Sequence, residues 1–218
     1  MITKENLSKL LEQTQEIAKE VGAFIRKERQ HFDVEKVEHK GFNDLVSYVD
    51  KEAERQIVEK LSAIFPESGF ITEEGTSTTK GEKYNWVIDP LDGTTNFIHG
   101  IPVFSVSIAL MEEEKVIMGV VYEVNRHECF YAMKGGGAFC NDTPIKVSKA
   151  PDLSASLIST GFPYYNFELI DRYLNSMKSL MQKTHGLRRF GSAAVDLCYV
   201  ASGRTEGFFE YNLNSYDV

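Results

Sequence analysis

The stretch Trp86-Val87-Ile88-Asp89-Pro90-Leu91-Asp92-Gly93-Thr94-Thr95-Asn96-Phe97 constrains this chain more than any other. Its apolar start reads as the end of a buried strand. The strand should stop at Asp89-Pro90, because proline has no N–H to donate, and Gly93 permits a tight turn just beyond. Asp89 and Asp92 then stand on the bend, and Gly93-Thr94-Thr95 offers backbone donors and two hydroxyls at a helix start. Such a start favours an anion through its unpaired N–H groups and its dipole. Carboxylates beside an anion cradle would repel a phosphate unless a hard cation lay between them. Mg²⁺ suits that place, since it is bound by one or two carboxylates together with phosphate oxygens. A lone Asp-Gly is ordinarily a solvated turn, but the full run is far more specific.

Residues 89–97, Asp-Pro-Leu-Asp-Gly-Thr-Thr-Asn-Phe, resemble the first signature of the inositol monophosphatase family, which are metal-dependent, lithium-sensitive phosphatases. The similarity extends along nearly the whole chain. The family's second signature is Trp-Asp, and here Tyr216-Asp217 stands in its place, keeping an aromatic body before the acid. The resemblance implies an α/β (α+β) fold, a layered αβαβα sandwich. It implies one domain over residues 1–218, in approximate halves 1–150 and 151–218. Family members continue for several further strands and a helix, so the C-terminal part of that fold is expected to be missing.

At 218 residues, with 42% hydrophobic and 26% charged content, the chain can bury a sizeable core and is ordinary for a globular protein. A net charge of −8 argues against a broad nucleic-acid-binding surface. Cys129, Cys140 and Cys198 are odd in number and lack metal-type spacing, which points to a reduced, cytoplasmic setting. No apolar run reaches membrane-spanning length, so no membrane association is expected.

Thr3 is placed to cap a first helix, with Leu7, Leu10, Leu11, Ile17, Ala18, Val21, Phe24 and Ile25 on one face. The segment Lys40-Gly41-Phe42-Asn43-Asp44-Leu45-Val46-Ser47-Tyr48-Val49-Asp50 leads to a second helix, expected over roughly residues 51–65, capped by Asp50 and stopped by Pro66. Phe70-Ile71-Thr72 reads as a short strand delivering Glu73-Glu74, and residues 76–81 as a mobile surface loop. Residues 105–110 and 116–122 read as hairpin strands around Glu112-Glu113-Glu114, and 128–133 as a third strand. Gly135-Gly136-Gly137 is a tight turn before it is a phosphate cradle, and Asn141-Asp142 begins another turn. In the second half a strand is expected over residues 155–159. A helix follows with the stripe Leu169, Tyr173, Met177, Leu180 and Met181, its methionines filling core. Ser192 should cap a further helix that Gly203 ends, and residues 206–211 should form an aromatic strand. Arg188-Arg189 could bind an anion or pair with surface acids, and pairing is the simpler reading. Asp196 falls one helical turn after Ser192, with no role assigned.

The site roles follow from the resemblance. Glu73, Asp89 and the Leu91 carbonyl would hold a first Mg²⁺, and Asp89, Asp92 and Asp217 a second. A third, weaker ion would lean on Glu73 and water, with Glu74 in support. Thr94 with Asp50 would orient the attacking water; for Asp50, the residues alone leave open a helix cap or a cap that also serves the site. Gly93, Thr94 and Thr95 would hold phosphate oxygens, while Glu210 and Ala193, with Ser192 beside them, line the pocket for the alcohol. The implied reaction is Mg²⁺-dependent hydrolysis of a small phosphate monoester, inositol monophosphate above all, with Li⁺ as inhibitor. Fructose 1,6-bisphosphate and a 3′-phosphorylated nucleotide are alternatives, although Thr95-Asn96-Phe97 favours the inositol branch, because nucleotide-directed relatives tend to carry a charged residue there. The implied partners are a phosphorylated polyol and a second copy in a homodimer. Some bacterial relatives bind the transcription machinery with catalysis dispensable, which adds RNA polymerase as a rival partner.

Overall fold

In the computed structural model, which describes residues 2–32, 38–41, 44–77, 79–164 and 166–217, two helices lie side by side on one sheet. Helix α1 (Lys4–Arg29) starts at Thr3, whose hydroxyl accepts the Asn6 N–H at 3.2 Å, and buries Leu7, Leu10, Leu11, Ile17, Ala18, Val21 and Ile25. The connection to the second helix falls partly outside the described residues. Within it, the backbones of β1 (Glu38–Gly41) and β2 (Asp44–Val46) pair antiparallel. Helix α2 (Tyr48–Ile64) is capped by Ser47, not by Asp50 as the sequence suggests. Ser47 accepts the Val49 N–H at 3.1 Å, and Asp50, inside the first turn, accepts the Ser47 N–H at 2.9 Å. This reciprocal capping box satisfies donors in both directions, and a lone Asp50 cap would leave one of them unpaired.

The main sheet runs β3 (Gly69–Thr72), β4 (Tyr84–Asp92), β5 (Ser105–Glu112), β6 (Lys115–Glu123), β7 (Glu128–Met133), β8 (Gly137–Cys140) and β9 (Thr143–Pro144) in spatial order. β3 and β4 are parallel, and each later neighbour is antiparallel. The hairpin turns fall where acidic and amide residues accept positive φ: Glu113 at 56°, and Asn141 and Asp142 at 46° and 64°. Trp86, Ile88, Val106, Ile108 and Leu110 point from β4 and β5 into the core shared with α1 and α2.

A second sheet is parallel, with β10 (Leu157–Thr160) between β11 (Gly186–Arg188) and β12 (Gly207–Phe209). Helix α5 (Ala193–Ala201) packs against β5 and β6 on one side and β12 on the other, while α4 (Ile170–Met181) packs on β11. The order of layers is thus α1 with α2, the main sheet, α5, the second sheet, and α4. That is the expected αβαβα sandwich. Among the described residues no helix is long and apolar enough to cross a membrane, and all three cysteines are free.

Several local expectations change. Within α4, Tyr173 alone is buried and Met181 is 62% exposed, so its methionines are not core filler. A three-stranded sheet is too narrow to cover the helix's whole apolar stripe. β10 begins after a short 3-10 turn, Leu153–Ala155, because Asp152 caps that turn by accepting the Ala155 N–H. The loop after β3 is tied down on both sides: the Thr79 carbonyl accepts the Phe70 N–H at 2.8 Å, and a Cβ on Gly69 would lie 1.8 Å from the Gly81 nitrogen.

Candidate active site

β4 does not end at Pro90. Its ladder to β5 holds through Asp89–Ser107, slips across Pro90 and Leu91, and resumes at Asp92–Ser105. Proline's missing donor explains the slip, and the resulting bulge sends Asp89 and Asp92 toward one cavity. Gly93 follows at φ 95°, and helix α3 (Thr94–His99) starts with no side-chain cap on its first turn. Asn96 fixes that helix by donating to the Val103 carbonyl at 2.8 Å and the Phe190 carbonyl at 2.7 Å.

The cavity, of about 410 Å³, brings together Glu73, Asp89, Leu91, Asp92, Gly93, Thr94, Thr95, Ala193, Glu210 and Asp217. Asp50 is not among its lining residues. It reaches the cavity through Thr94, whose hydroxyl lies 2.9 Å from the Asp50 carboxylate and 3.0 Å from the Leu91 carbonyl. Burial pushes the Asp50 carboxyl up, and its bonds to Ser47 and Thr94 pull it back. Asp92 accepts the Ser192 hydroxyl at 2.6 Å and the N–H groups of Ala193 and Ala194 at 3.2 and 2.8 Å. The start of α5 therefore aims Asp92 and joins the two halves of the molecule.

The electrostatics of the acids are strained in a way that identifies what would relieve them. Asp89 is 2% exposed, and its carboxyl stands well above the usual range because of burial first, then the charges of Glu73 and Asp92, a hydrogen bond with Glu73, and Asp217. Asp92 is raised to about 6 by burial and by Asp217, against the opposing pull of Ser192 and the α5 N–H groups. Among the described residues neither histidine nor cysteine lines the cavity. An all-oxygen, anionic donor set fits a hard divalent cation such as Mg²⁺. The acids are not drawn into a closed shell: among the described residues no three acidic, histidine or cysteine side chains form a group able to hold an ion as they stand. Asp217 in particular turns its carboxylate back onto the Asn214 N–H.

Four residues that the sequence reading does not place at the site line it or support it. Glu54, fully buried on α2, accepts the Glu74 N–H at 2.7 Å, the Thr76 N–H at 2.8 Å and the Thr76 hydroxyl at 2.7 Å, organising the turn that carries Glu73. Its signal was available: Glu54 shares the inward face of α2 with Ile57 and Leu61. Arg189 lines the cavity instead of pairing with a surface acid; its guanidinium lies over the Phe162 and Tyr164 rings and bonds the Tyr164 hydroxyl. Tyr211 and Asp196 line the same cavity. Asp196 is the lone acid of an otherwise apolar helix, 1% exposed, and burial raises it to about 7. A carboxyl raised on folding contributes stability that is complete below its unfolded value and is lost as pH rises through the folded one. Relative to Asp196→Asn, the metal-free protein should therefore lose stability between about pH 4 and about pH 7. Parallel melting curves for the two proteins across that window would contradict this.

Five layers, with buried acids gathered over a helix start in one cavity, define a protein of the layered αβαβα class. The chain belongs to the inositol monophosphatase family, whose sequence model matches residues 6–218. It is 41% identical to relatives of two kinds, over 201 and 180 residues respectively. One is the Nus factor SuhB of Escherichia coli, with 92% of this chain and 75% of the relative covered. The other is the inositol-1-monophosphatase of Mesorhizobium japonicum, with 82% and 68% covered. The extragenic suppressor protein suhB of Bartonella henselae superimposes with a TM-score of 0.91 at 39% identity, covering 96% of this chain and 81% of that one.

Proposed function

We propose that the protein hydrolyses the phosphate monoester of a small polyol, inositol monophosphate first, with Mg²⁺ bound at the acid cluster. The observation that carries this is Asp89, buried against Glu73 and Asp92 beside the start of α3. Acids so placed need compensating positive charge. Glu73, Asp89, the Leu91 carbonyl, Asp92 and Asp217 are the groups to hold two or three ions, which supply a water of lowered pKa and offset charge on the ester oxygens.

The protein's own groups account for orientation. The first turn of α3, at Gly93, Thr94 and Thr95, offers donors to phosphate oxygens. The single proton of the Thr94 hydroxyl is committed to Asp50 or to the Leu91 carbonyl. Its oxygen is therefore left as an acceptor, which fixes a water in front of the phosphate. Glu210 accepts from the alcohol's hydroxyls, and Ala193 gives that alcohol a flat, apolar contact.

Initial rates on a panel of phosphomonoesters with Mg²⁺ test the reading. Inositol monophosphate should be turned over, and Li⁺ at roughly tens of millimolar should inhibit, as expected for a monovalent ion at a site built for a divalent one. A second reading has its own support in the relatives that carry the name Nus factor. In it the chain contacts the transcription machinery. A protein inactive on every ester that still retains RNA polymerase in a pulldown would establish that reading in place of the first.

A further inference from the structure

The cavity has a second wall, away from the acids expected to hold metal, on which three polar atoms lack partners. Among the described residues, Arg189 Nε, Asp196 Oδ1 and the Tyr211 hydroxyl are buried without a hydrogen bond, and all three residues line this one cavity. Buried polar atoms left unpaired are costly, and three at one place call for a ligand that pairs them. Two glycines make room for the wall. A Cβ on Gly161 would lie 1.8 Å from the Glu210 carboxylate, and a Cβ on Gly191 would lie 2.5 Å from the Arg189 guanidinium. Arg189, Asp196 and Glu210 feel one another's charge, yet among the described residues no ion pair closes between them. Between them the three offer one donor group and two acceptors.

We propose that Arg189, Asp196 and Tyr211 are specificity residues that read the hydroxyls of the leaving alcohol, and that they select a neutral polyol over a substrate with a second phosphate. Adjacent hydroxyls match the wall: one donates to Asp196 or Glu210 while its neighbour accepts from Arg189. A second phosphate would bring only acceptors to a wall of one guanidinium and two carboxyls, and it could face those carboxyls only by holding both of them protonated. Uncharged hydroxyls meet no such opposition. This assignment rests on the phosphatase reading above and deepens it.

The test compares the parent with Asp196→Asn and Arg189→Gln, each first shown to fold by its melting curve. Steady-state kinetics with Mg²⁺ are taken on myo-inositol 1-phosphate, on phenyl phosphate, whose alcohol carries no further hydroxyl, and on fructose 1,6-bisphosphate. The parent should prefer inositol phosphate to the other two. In each variant the ratio of kcat/KM for inositol phosphate over phenyl phosphate should fall by about tenfold to a hundredfold, through KM. An unchanged ratio overturns the assignment, as does a parent that turns over the bisphosphate equally well. Calorimetric titration of free myo-inositol into the metal-free protein gives a readout independent of turnover. Binding by the parent that weakens tenfold in Asp196→Asn supports the wall even if no ester is hydrolysed, in which case the phosphatase reading alone fails. If the parent shows no binding, or if the variant binds equally, the unpaired atoms are met by water and the inference is wrong.

Discussion

Asp89→Asn should abolish Mg²⁺-dependent turnover on every phosphomonoester, by about a thousandfold or more, and should at the same time raise the melting temperature of the metal-free protein. Both effects come from the same charge. Asp89 is fully buried, and Glu73, Asp92 and Asp217 all oppose its ionisation. In the absence of a cation the Asp89 carboxyl must either take up a proton on folding or bear that repulsion and desolvation, and the neutral isostere does neither, so it stabilises. With a cation, the same change deletes the acid shared between the two expected ions. The Asp92 and Glu73 carboxylates then keep separate, weaker sites, and losing an electrostatic contribution of about 4 kcal/mol corresponds to the thousandfold loss. The two outcomes cross. Parent melting should rise with added Mg²⁺ by mass action on the native state, and the variant's should barely respond. Isothermal titration that finds Mg²⁺ binding at full strength in Asp89→Asn would remove the metal assignment.

How much of this molecule the sequence disclosed depended on whether a feature was local. The β4 run, the Gly93 turn and the Asn141-Asp142 hairpin are set by backbone chemistry of adjacent residues, and the structure differs from the reading only in carrying β4 through a bulge to Asp92. The cap of α2 lies three positions before Asp50 because Ser47 and Asp50 are both good caps, and the reciprocal pair is decided by geometry. The αβαβα layering came from resemblance, since periodicity says that a helix has one apolar face but not which sheet it meets. α4 shows the limit of that signal: its stripe is apolar, yet Tyr173 alone of it is buried. The acids of the cavity followed the same division. Glu73, Asp89, Asp92 and Asp217 sit in motifs, whereas Glu54, Arg189 and Asp196 gain meaning only from partners far along the chain. An acid on a helix's buried face is the one trace such residues leave.

Glu54 is the residue where that trace has the largest consequence. Its carboxylate, with no exposure to solvent, is the acceptor for three donors of the turn after β3. Glu73 precedes those donors directly and bonds by its own N–H to the Ile88 carbonyl at 3.3 Å, so the turn is pinned to α2 on one side and to β4 on the other. Glu54→Ala removes one pin and leaves the N–H groups of Glu74 and Thr76 without an acceptor, besides opening a void on α2. Losing a charged acceptor of three part-buried hydrogen bonds, with the void left on α2, costs about 3 kcal/mol, or roughly 6–12 °C in melting temperature for a chain of this size. Glu54→Gln should not rescue fully, because its amide presents N–H groups to donors and can satisfy only part of the set. The functional loss should appear as weaker Mg²⁺ binding, since Glu73 is released from its place beside Asp89, and a high Mg²⁺ concentration should recover part of both stability and turnover. Hydrogen exchange locates the effect: the Glu74 and Thr76 amides should exchange much faster in the variant while those of β5 and β6 stay protected. If those two amides remain as slow as in the parent, the turn holds itself, and Glu54 is a buried acid that neither orders Glu73 nor supports the cation site.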